Sequence, residues 1–440
     1  MKLDLTRCLR MQQRAAKLIP GMTQLLSKRP DMYSLGVWPG YFSRAEGVRV
    51  TDLDGNCYVD MSIGGIGATV LGYADQDVDD AVVAAVRAGV ASSLNCPEEV
   101  ELAERLCELH PFADKVRFAR TGGEAMAMAV RIARAATGRD VVAFCGYHGW
   151  HDWYLAANLE HDALTGHLLE GLEPAGVPRA LAGTALPFHY NRIEELQAIV
   201  DAHGHKLAAV VMEPIRNEPP APGFLAQVRQ LAERCGAVLV FDEISAGFRL
   251  AVGGSHLILS EVRPDIAVFA KAMGNGYPVA AVIGREEVMQ AVQRSFISST
   301  FWTDRVGPAA ALATLAKFQA LGVHRHLIAI GEKVQNGWRE LGRAHGMDLG
   351  VGGIEPMSHF SFPGALPGHQ KAYFIQLMLE QGYLAADSFY AMLAHTEEHV
   401  RTYLEAADAA MGAVTKAMAE GRIQELLEGK PANGGFSRLN

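Results

Sequence analysis

From about Val70 to residue 320 the chain alternates short apolar, β-branched runs with stretches of helical periodicity, and that alternation narrows the possible folds more than any other feature. "KVRFAR", "DVVAFCG", "LAAVVMEP", "GAVLVFDE", "DIAVFAK" and "VAAVIGR" read as strands. "VDDAVVAAVRAG", "EEVELAERLCELH", "GEAMAMAVRIARAATG" and "FLAQVRQLAERC" repeat their apolar residues at helical spacing. Strands apolar on both faces need cover on both faces. The pattern therefore predicts an α/β fold with a mainly parallel central sheet flanked by helices. Ligands of such sheets sit beyond the carboxyl ends of the strands, so the residues following each apolar run are where chemistry is expected. Outside this region, "VRVTDLDGNCYVDMS" predicts a hairpin around Asp54-Gly55. The first 45 residues read as an arm or lid, and the chain beyond Leu321 as helical with irregular insertions. The expected divisions are residues 1–69, 70–320 and 321–440.

Several function classes are disfavoured. A net charge of -9 without a basic cluster argues against a nucleic-acid partner. No run reaches the roughly 18 apolar residues of a membrane span, and the N-terminus lacks the apolar core of a signal peptide. The 6 cysteines are scattered without C-x-x-C spacing, so neither a disulfide framework nor a zinc knuckle is expected. A reduced, cytoplasmic enzyme without a bound metal is the expectation.

Four features follow the apolar runs. After "KVRFAR" comes Thr121-Gly122-Gly123 and then a helix; free N–H groups at a helix start, with glycines allowing close approach, can cup a phosphate. The same residues also fit an ordinary strand–helix turn. "FCGYHGWHDWYLAAN" packs aromatics and histidines densely enough to offer a flat ring a stacking surface. His148 and His151 sit three apart, but no matching carboxylate or cysteine set completes a metal site. In "VLVFDEISAGFR", Asp242 and Glu243 follow a strand, and a carboxylate there needs a cationic partner or serves as a cap or structural ion pair. Lys271 ends "DIAVFAK": it is either a partly desolvated amine with nucleophilic character or a lysine reaching to solvent.

Together these supply a phosphate cup, a stacking aromatic, an acid and an amine at the strand ends of one sheet. Pyridoxal 5'-phosphate (PLP) requires that set: a lysine for a Schiff base, a carboxylate for the pyridine nitrogen, and a phosphate anchor. No G-x-x-x-x-G-K-[ST] appears, and no G-x-G-x-x-G opens a helix after a strand, which disfavours nucleotide-phosphate loops.

From "LIPG" near Pro20 to Met411 the sequence resembles the class III aminotransferases of the fold type I PLP enzymes, in the branch of glutamate-1-semialdehyde aminomutase. "FDEISAGFR" is similar to that family's DEV-x-x-GFR segment, "FAKAMGNGYPVAAVIGR" to its lysine segment, "YHGWHD" to its YHG-x-x-D segment, and "RTGGEAMAMAVRIARAATGR" to its phosphate loop and helix. The resemblance implies a large PLP-binding domain with a smaller domain built from the N- and C-terminal segments. It implies Lys271 as the Schiff-base lysine and proton shuttle, and Asp242 as the partner of the pyridine nitrogen. Tyr147 and Ile244 would cover the two ring faces, Thr121, Gly122 and Gly123 would hold the phosphate, and His148 and Glu213 would lie near the cofactor. A homodimer with active sites at the subunit interface is implied, in which Thr300 or Thr303 reaches a neighbouring phosphate.

The resemblance breaks where substrate would bind. The aminomutase's SPVR segment has no match, although Arg29 lies close by. The loop after Glu213 is shortened and brings in Arg216 and Asn217; Arg216 could hold a substrate anion or form a structural ion pair. Gly123 stands where the family usually has threonine. The expected activity is transfer of an amino group from an amino-acid donor, glutamate by family analogy, to an aldehyde or ketone, by a ping-pong cycle. The alternative is an aminomutase or a racemase/epimerase using the same site. A cofactor-less scaffold would have lost the Lys271–Asp242 pair, and both residues are present.

Overall fold

The computed structural model describes residues 3–165 and 171–434. The chain divides into two compact units: the terminal segments Met1–Asp75 and Arg325–Asn440 form one, and Gln76–His324 the other. In the terminal unit β1 (Phe42–Glu46), β2 (Arg49–Asp52) and β3 (Cys57–Met61) form an antiparallel meander. The β2–β3 turn is the hairpin expected around Asp54-Gly55. The Asp52 carboxylate closes it, accepting the N–H groups of Asp54 and Asn56 at 2.9 Å each.

In the central unit a seven-stranded sheet contains β4 (Lys115–Ala119), β5 (Val141–Cys145), β6 (Ala185–Pro187), β7 (Leu207–Met212), β8 (Val238–Asp242), β9 (Ile266–Phe269) and β10 (Ala280–Gly284), in the order β4-β10-β9-β8-β7-β5-β6. Strands β6, β5, β7, β8 and β9 pair in parallel, while β10 runs antiparallel to both β9 and β4. "VAAVIGR" is therefore the reversed strand of a mainly parallel sheet. Its residues are apolar on both faces in either direction, so its direction is not written in its pattern.

Alternation along the strands builds two cores. Val142 and Phe144 of β5 join the cluster around helix Gly122–Thr137, with Val211, Val240 and Val268. Val141, Ala143 and Cys145 face the other way, against helices Ile193–His203 and Phe224–Cys235. Each fully buried Val, Leu, Ile or Phe contributes about 1.5–3 kcal/mol. Helix Gly122–Thr137 starts at the carboxyl end of β4 and ends at Gly138 in the left-handed conformation.

In the C-terminal part of the terminal unit, β11 (Met357–His359) pairs with β13 (Ser388–Tyr390), and β12 (Tyr383–Ala385) extends the first sheet in parallel beside β3. The N-terminal stretch reads as an arm or lid, yet it enters a core. Helix Thr6–Leu18 buries Cys8 and Ala15, and Tyr33 and Val37 pack with Ile375, Leu379 and Leu384. Asp54 caps that helix, accepting from the N–H groups of Arg7 and Cys8 at 2.7 and 2.8 Å. Among the described residues no single helix is long and apolar enough to cross a membrane.

Candidate active site

Two adjacent strands deliver the acid and the amine. Asp242 is the last residue of β8 and is 3% exposed. Its Oδ1 accepts the Ile244 N–H at 3.0 Å, and its Oδ2 lies 2.8 Å from His148 Nδ1. His148 Nε2 is 2.9 Å from the Cys145 carbonyl oxygen, an acceptor only, so Nε2 carries a proton. One further proton then lies between Nδ1 and the Asp242 carboxylate. With both ring nitrogens engaged, His148 has no lone pair to offer a metal.

Lys271 follows β9 by two residues, at the start of a short 3-10 turn. Its φ of 47° is in the left-handed region, sparsely populated for a residue with a Cβ; such strain costs on the order of 1–3 kcal/mol and concentrates at functional sites. The Nζ donates to Ser245 Oγ at 2.8 Å. Burial first, then repulsion from Arg216, lowers the Lys271 ammonium to a pKa of about 8, against the opposing pull of Glu213 and Asp242. The lysine does not reach to solvent as an ordinary surface side chain would.

At the start of helix Gly122–Thr137, Thr121 forms a capping box with Glu124. Its hydroxyl accepts the Glu124 N–H and donates to Glu124 Oε2, which also accepts the Thr121 N–H. Among the described residues the N–H groups of Gly122 and Gly123 make no hydrogen bond. They are the donors left for a phosphate, and the Thr121 hydroxyl is occupied. Both glycines are required by close approach. A Cβ on Gly122 would lie 2.9 Å from Ile244 Cδ1, and one on Gly123 would lie 3.0 Å from His151 Cε1 and Nδ1. His151 thus fills the space a threonine at position 123 would need.

Tyr147 is half-buried with its ring edge-on to Tyr154, the centroids 5.9 Å apart, and burial raises its phenol pKa. Ile244 is 9% exposed, following Asp242 by two residues. Buried Glu213 faces Arg216, whose Nη1 lies 3.3 Å from Glu213 Oε2; Asn217 is exposed. Thr300 and Thr303 are both exposed, and the Thr303 hydroxyl donates to the Thr300 carbonyl oxygen at 3.1 Å. In the terminal unit, Arg29 is buried in a two-point pair with Asp31, Nη2 to Oδ2 2.7 Å and Nε to Oδ1 3.0 Å. Cys8, Asp52 and Asp54 bring metal-ligand atoms within 4.8 Å of one another, but both carboxylates are occupied by the turn and cap bonds described above.

Two residues of this site drew no attention in the sequence. Ser245 accepts from Lys271, and fully buried Arg249 donates from Nε to the Ser245 carbonyl oxygen at 2.8 Å. Both lie inside "FDEISAGFR", three and seven residues after Asp242, and that proximity was the available signal.

A half-buried amine, a buried carboxylate with acceptor capacity left, and a helix start whose N–H groups make no hydrogen bond among the described residues, beneath two closely packed glycines, fit PLP on this structure's own terms. The comparisons with known proteins agree. The family model Aminotransferase class-III matches residues 36–385. Over 428 residues, 94% of this chain and 99% of the other, the sequence is 31% identical to the 3-aminobutyryl-CoA aminotransferase of Cloacimonas acidaminovorans (strain Evry). Over 430 residues, 92% of this chain and 98% of the other, it is 33% identical to the glutamate-1-semialdehyde 2,1-aminomutase of Desulforamulus reducens. Among solved structures, the PLP internal aldimine form of the Sphingopyxis sp. MTA144 FumI protein is similar with a TM-score of 0.85 and 28% identity, covering 97% of this chain and 99% of that one.

Proposed function

Because the chain belongs to the class III aminotransferases, which depend on PLP, we propose that it moves an amino group from an amino-acid donor, glutamate in the first instance, to an aldehyde or ketone of a biosynthetic intermediate by a ping-pong cycle. The observation that carries this reading is the pairing of a desolvated Lys271 amine with a buried Asp242 carboxylate at neighbouring strand ends.

When bound, PLP supplies an aldehyde carbon that condenses with amines and a ring that takes up an electron pair. The rest falls to the chain. With a pKa of about 8, Lys271 presents about a tenth of its amine neutral at pH 7, far more than an ordinary lysine does, and can then accept and return the donor's α-proton at Nζ. Asp242, oriented by His148 and the Ile244 N–H, would hold a proton on the ring nitrogen. The Gly122 and Gly123 N–H groups would take the phosphate, and Tyr147 and Ile244 would exclude water from the ring faces. Arg216, beside Glu213 and close enough to repel Lys271, would meet a substrate carboxylate, with Asn217 next to it.

We place the working form as a homodimer in which Thr300 or Thr303 enters a second copy's site. Phe296 and Phe301, 91% and 72% exposed, flank Thr300, and exposed apolar side chains gathered in one segment suit an interface.

The test is the first half-reaction. Protein loaded with PLP and mixed with glutamate, without an acceptor, should release one equivalent of 2-oxoglutarate per site, and Lys271→Ala should release none on the same time scale. The similarity to an aminomutase favours a second reading, in which amino transfer occurs within one substrate. Isomerisation of an amino-aldehyde without any donor, together with no 2-oxoglutarate release, would overturn the first reading for the second.

A further inference from the structure

Helix Gly122–Thr137 carries a stripe away from the sheet: Ala127, Arg131 and Arg134, at helical spacing from Gly123, are exposed or half-buried. Between this stripe and the segment Trp150–Trp153 lies a cavity of about 430 Å³, lined by Arg131, Arg134, Trp150, His151, Asp152 and Trp153 among others. Lys271, Asp242, Tyr147 and Ile244 are not part of its lining.

Among the described residues three buried polar atoms here have no hydrogen-bond partner: Arg134 Nη2, Trp153 Nε1 and His151 Nδ1. Trp153 is only 5% exposed, and leaving a buried N–H unbonded is unfavourable. An indole N–H and a guanidinium N–H can only donate, so whatever satisfies them must bring acceptors. Arg131 forms no ion pair among the described residues, and Arg134 bonds the Asp140 carbonyl oxygen through Nε alone, at 2.8 Å. Among the described residues Asp152, exposed, is the one carboxylate in the lining, and it pairs with neither arginine. Arg131 and Arg134 repel one another, and although the Asp140 carboxylate acts on Arg134, no ion pair among the described residues neutralises either guanidinium, which favours an anion between them.

The rim adds a flat surface. Trp150 is 70% exposed and stacks on His151, the centroids 4.5 Å apart and the planes at 29°. An exposed indole beside arginines suits a planar ring, through stacking and cation–π contact. We propose that this cavity is a second binding site, separate from the catalytic one, for a small planar anion: an aromatic ring bearing a phosphate or a carboxylate. His151 also lies against Gly123, so an occupant would touch the wall of the phosphate cradle.

Calorimetric titration of the PLP-saturated, full-length protein tests this, with the phosphate cradle already filled. AMP or benzoate should bind saturably, and the tighter of the two identifies phosphate or carboxylate as the anion. Adenosine and ribose 5-phosphate, each with half the recognition, should bind about tenfold more weakly than AMP, the loss of roughly one charge-assisted hydrogen bond or one stacked ring. Arg131→Ala, at an exposed position where folding is not at stake, should weaken binding of the anion by about the same factor. Trp150→Phe should remove the ligand-induced fluorescence change. No saturable binding of either anion, or binding unchanged in Arg131→Ala, would mean a solvent-filled cleft. Trp150 shielded from acrylamide in the assembled enzyme would mean that a second copy covers the rim, and would equally overturn the proposal.

Discussion

Asp242 and Glu243 are neighbours, both buried, both bonded to a histidine, and they end in opposite situations. Glu243 accepts four hydrogen bonds, from the Ser255 N–H and hydroxyl and from the His256 N–H and Nδ1, at 2.7 to 3.0 Å. A carboxylate has about four acceptor positions, so Glu243 is saturated. Burial pushes its pKa upward, yet the bonds from His256 and Ser255 hold it below its usual range. Asp242 accepts from His148 and one backbone N–H. It keeps acceptor capacity, and the His148 beyond it is fixed by the Cys145 carbonyl oxygen. Saturation makes one carboxylate a clamp between β8 and the loop at Ser255–His256. Incomplete saturation leaves the other able to act on a ligand.

The contrast breaks most sharply by substitution. Asp242→Asn should lower kcat by about 10³-fold, the scale of losing one preorganised charge at a reacting centre, with little change in urea stability. Glu243→Gln should do the reverse: stability falls by about 3 kcal/mol because buried donors lose a charged acceptor, while the folded fraction keeps its turnover. Equal effects of the two substitutions on kcat, measured beside unfolding curves, would abolish the distinction.

A smaller effect sharpens the charge balance on the Asp242 side. Acylation of Lys271 in the cofactor-free protein, followed by mass spectrometry, should rise with pH through an inflection near 8 and level off above it. Arg216→Gln removes a repelling charge and should move that inflection upward. The unfolded chain binds the same proton more tightly, so this group also makes stability rise with pH between about 8 and 10.5. An inflection at the ordinary lysine value would show that the amine is not desolvated.

The smallest effect concerns packing. Gly122→Ala should weaken PLP retention by about 1–3 kcal/mol, because its Cβ meets Ile244 at 2.9 Å, and Ile244→Val in the same chain should restore part of the loss. Equilibrium dialysis of PLP reads this directly. Retention unchanged in Gly122→Ala would remove Ile244 from the wall of the site.

Much of this candidate site is legible in the sequence. Lys271, Asp242 and the Gly122–Gly123 turn each follow an apolar run, and strand ends are where a covered sheet exposes polar groups. Less legible was what each polar group bonds. Thr121 reads as a phosphate ligand, but Glu124 three residues later claims its hydroxyl. Arg29 lies near where the aminomutase's SPVR arginine would fall, and in the fold it pairs with Asp31. The N-terminal stretch reads as an arm because its helix is polar on most faces; the few apolar residues that enter a core, Cys8 and Ala15 among them, are too sparse to announce it.

The sequence by itself determined the alternation of strand and helix, the two-faced burial of the sheet and the positions at which chemistry could sit. These follow from periodicity, which is local. Tertiary structure alone decided the reversal of β10, the parting of Asp242 from Glu243, the closing of His151 on Gly123 and the gathering of Arg131, Arg134 and Trp150 around one cavity. Each depends on partners far along the chain, as with His148 and Asp242, 94 residues apart. A lone pair is assigned by what arrives next to it, and no period in the sequence records that.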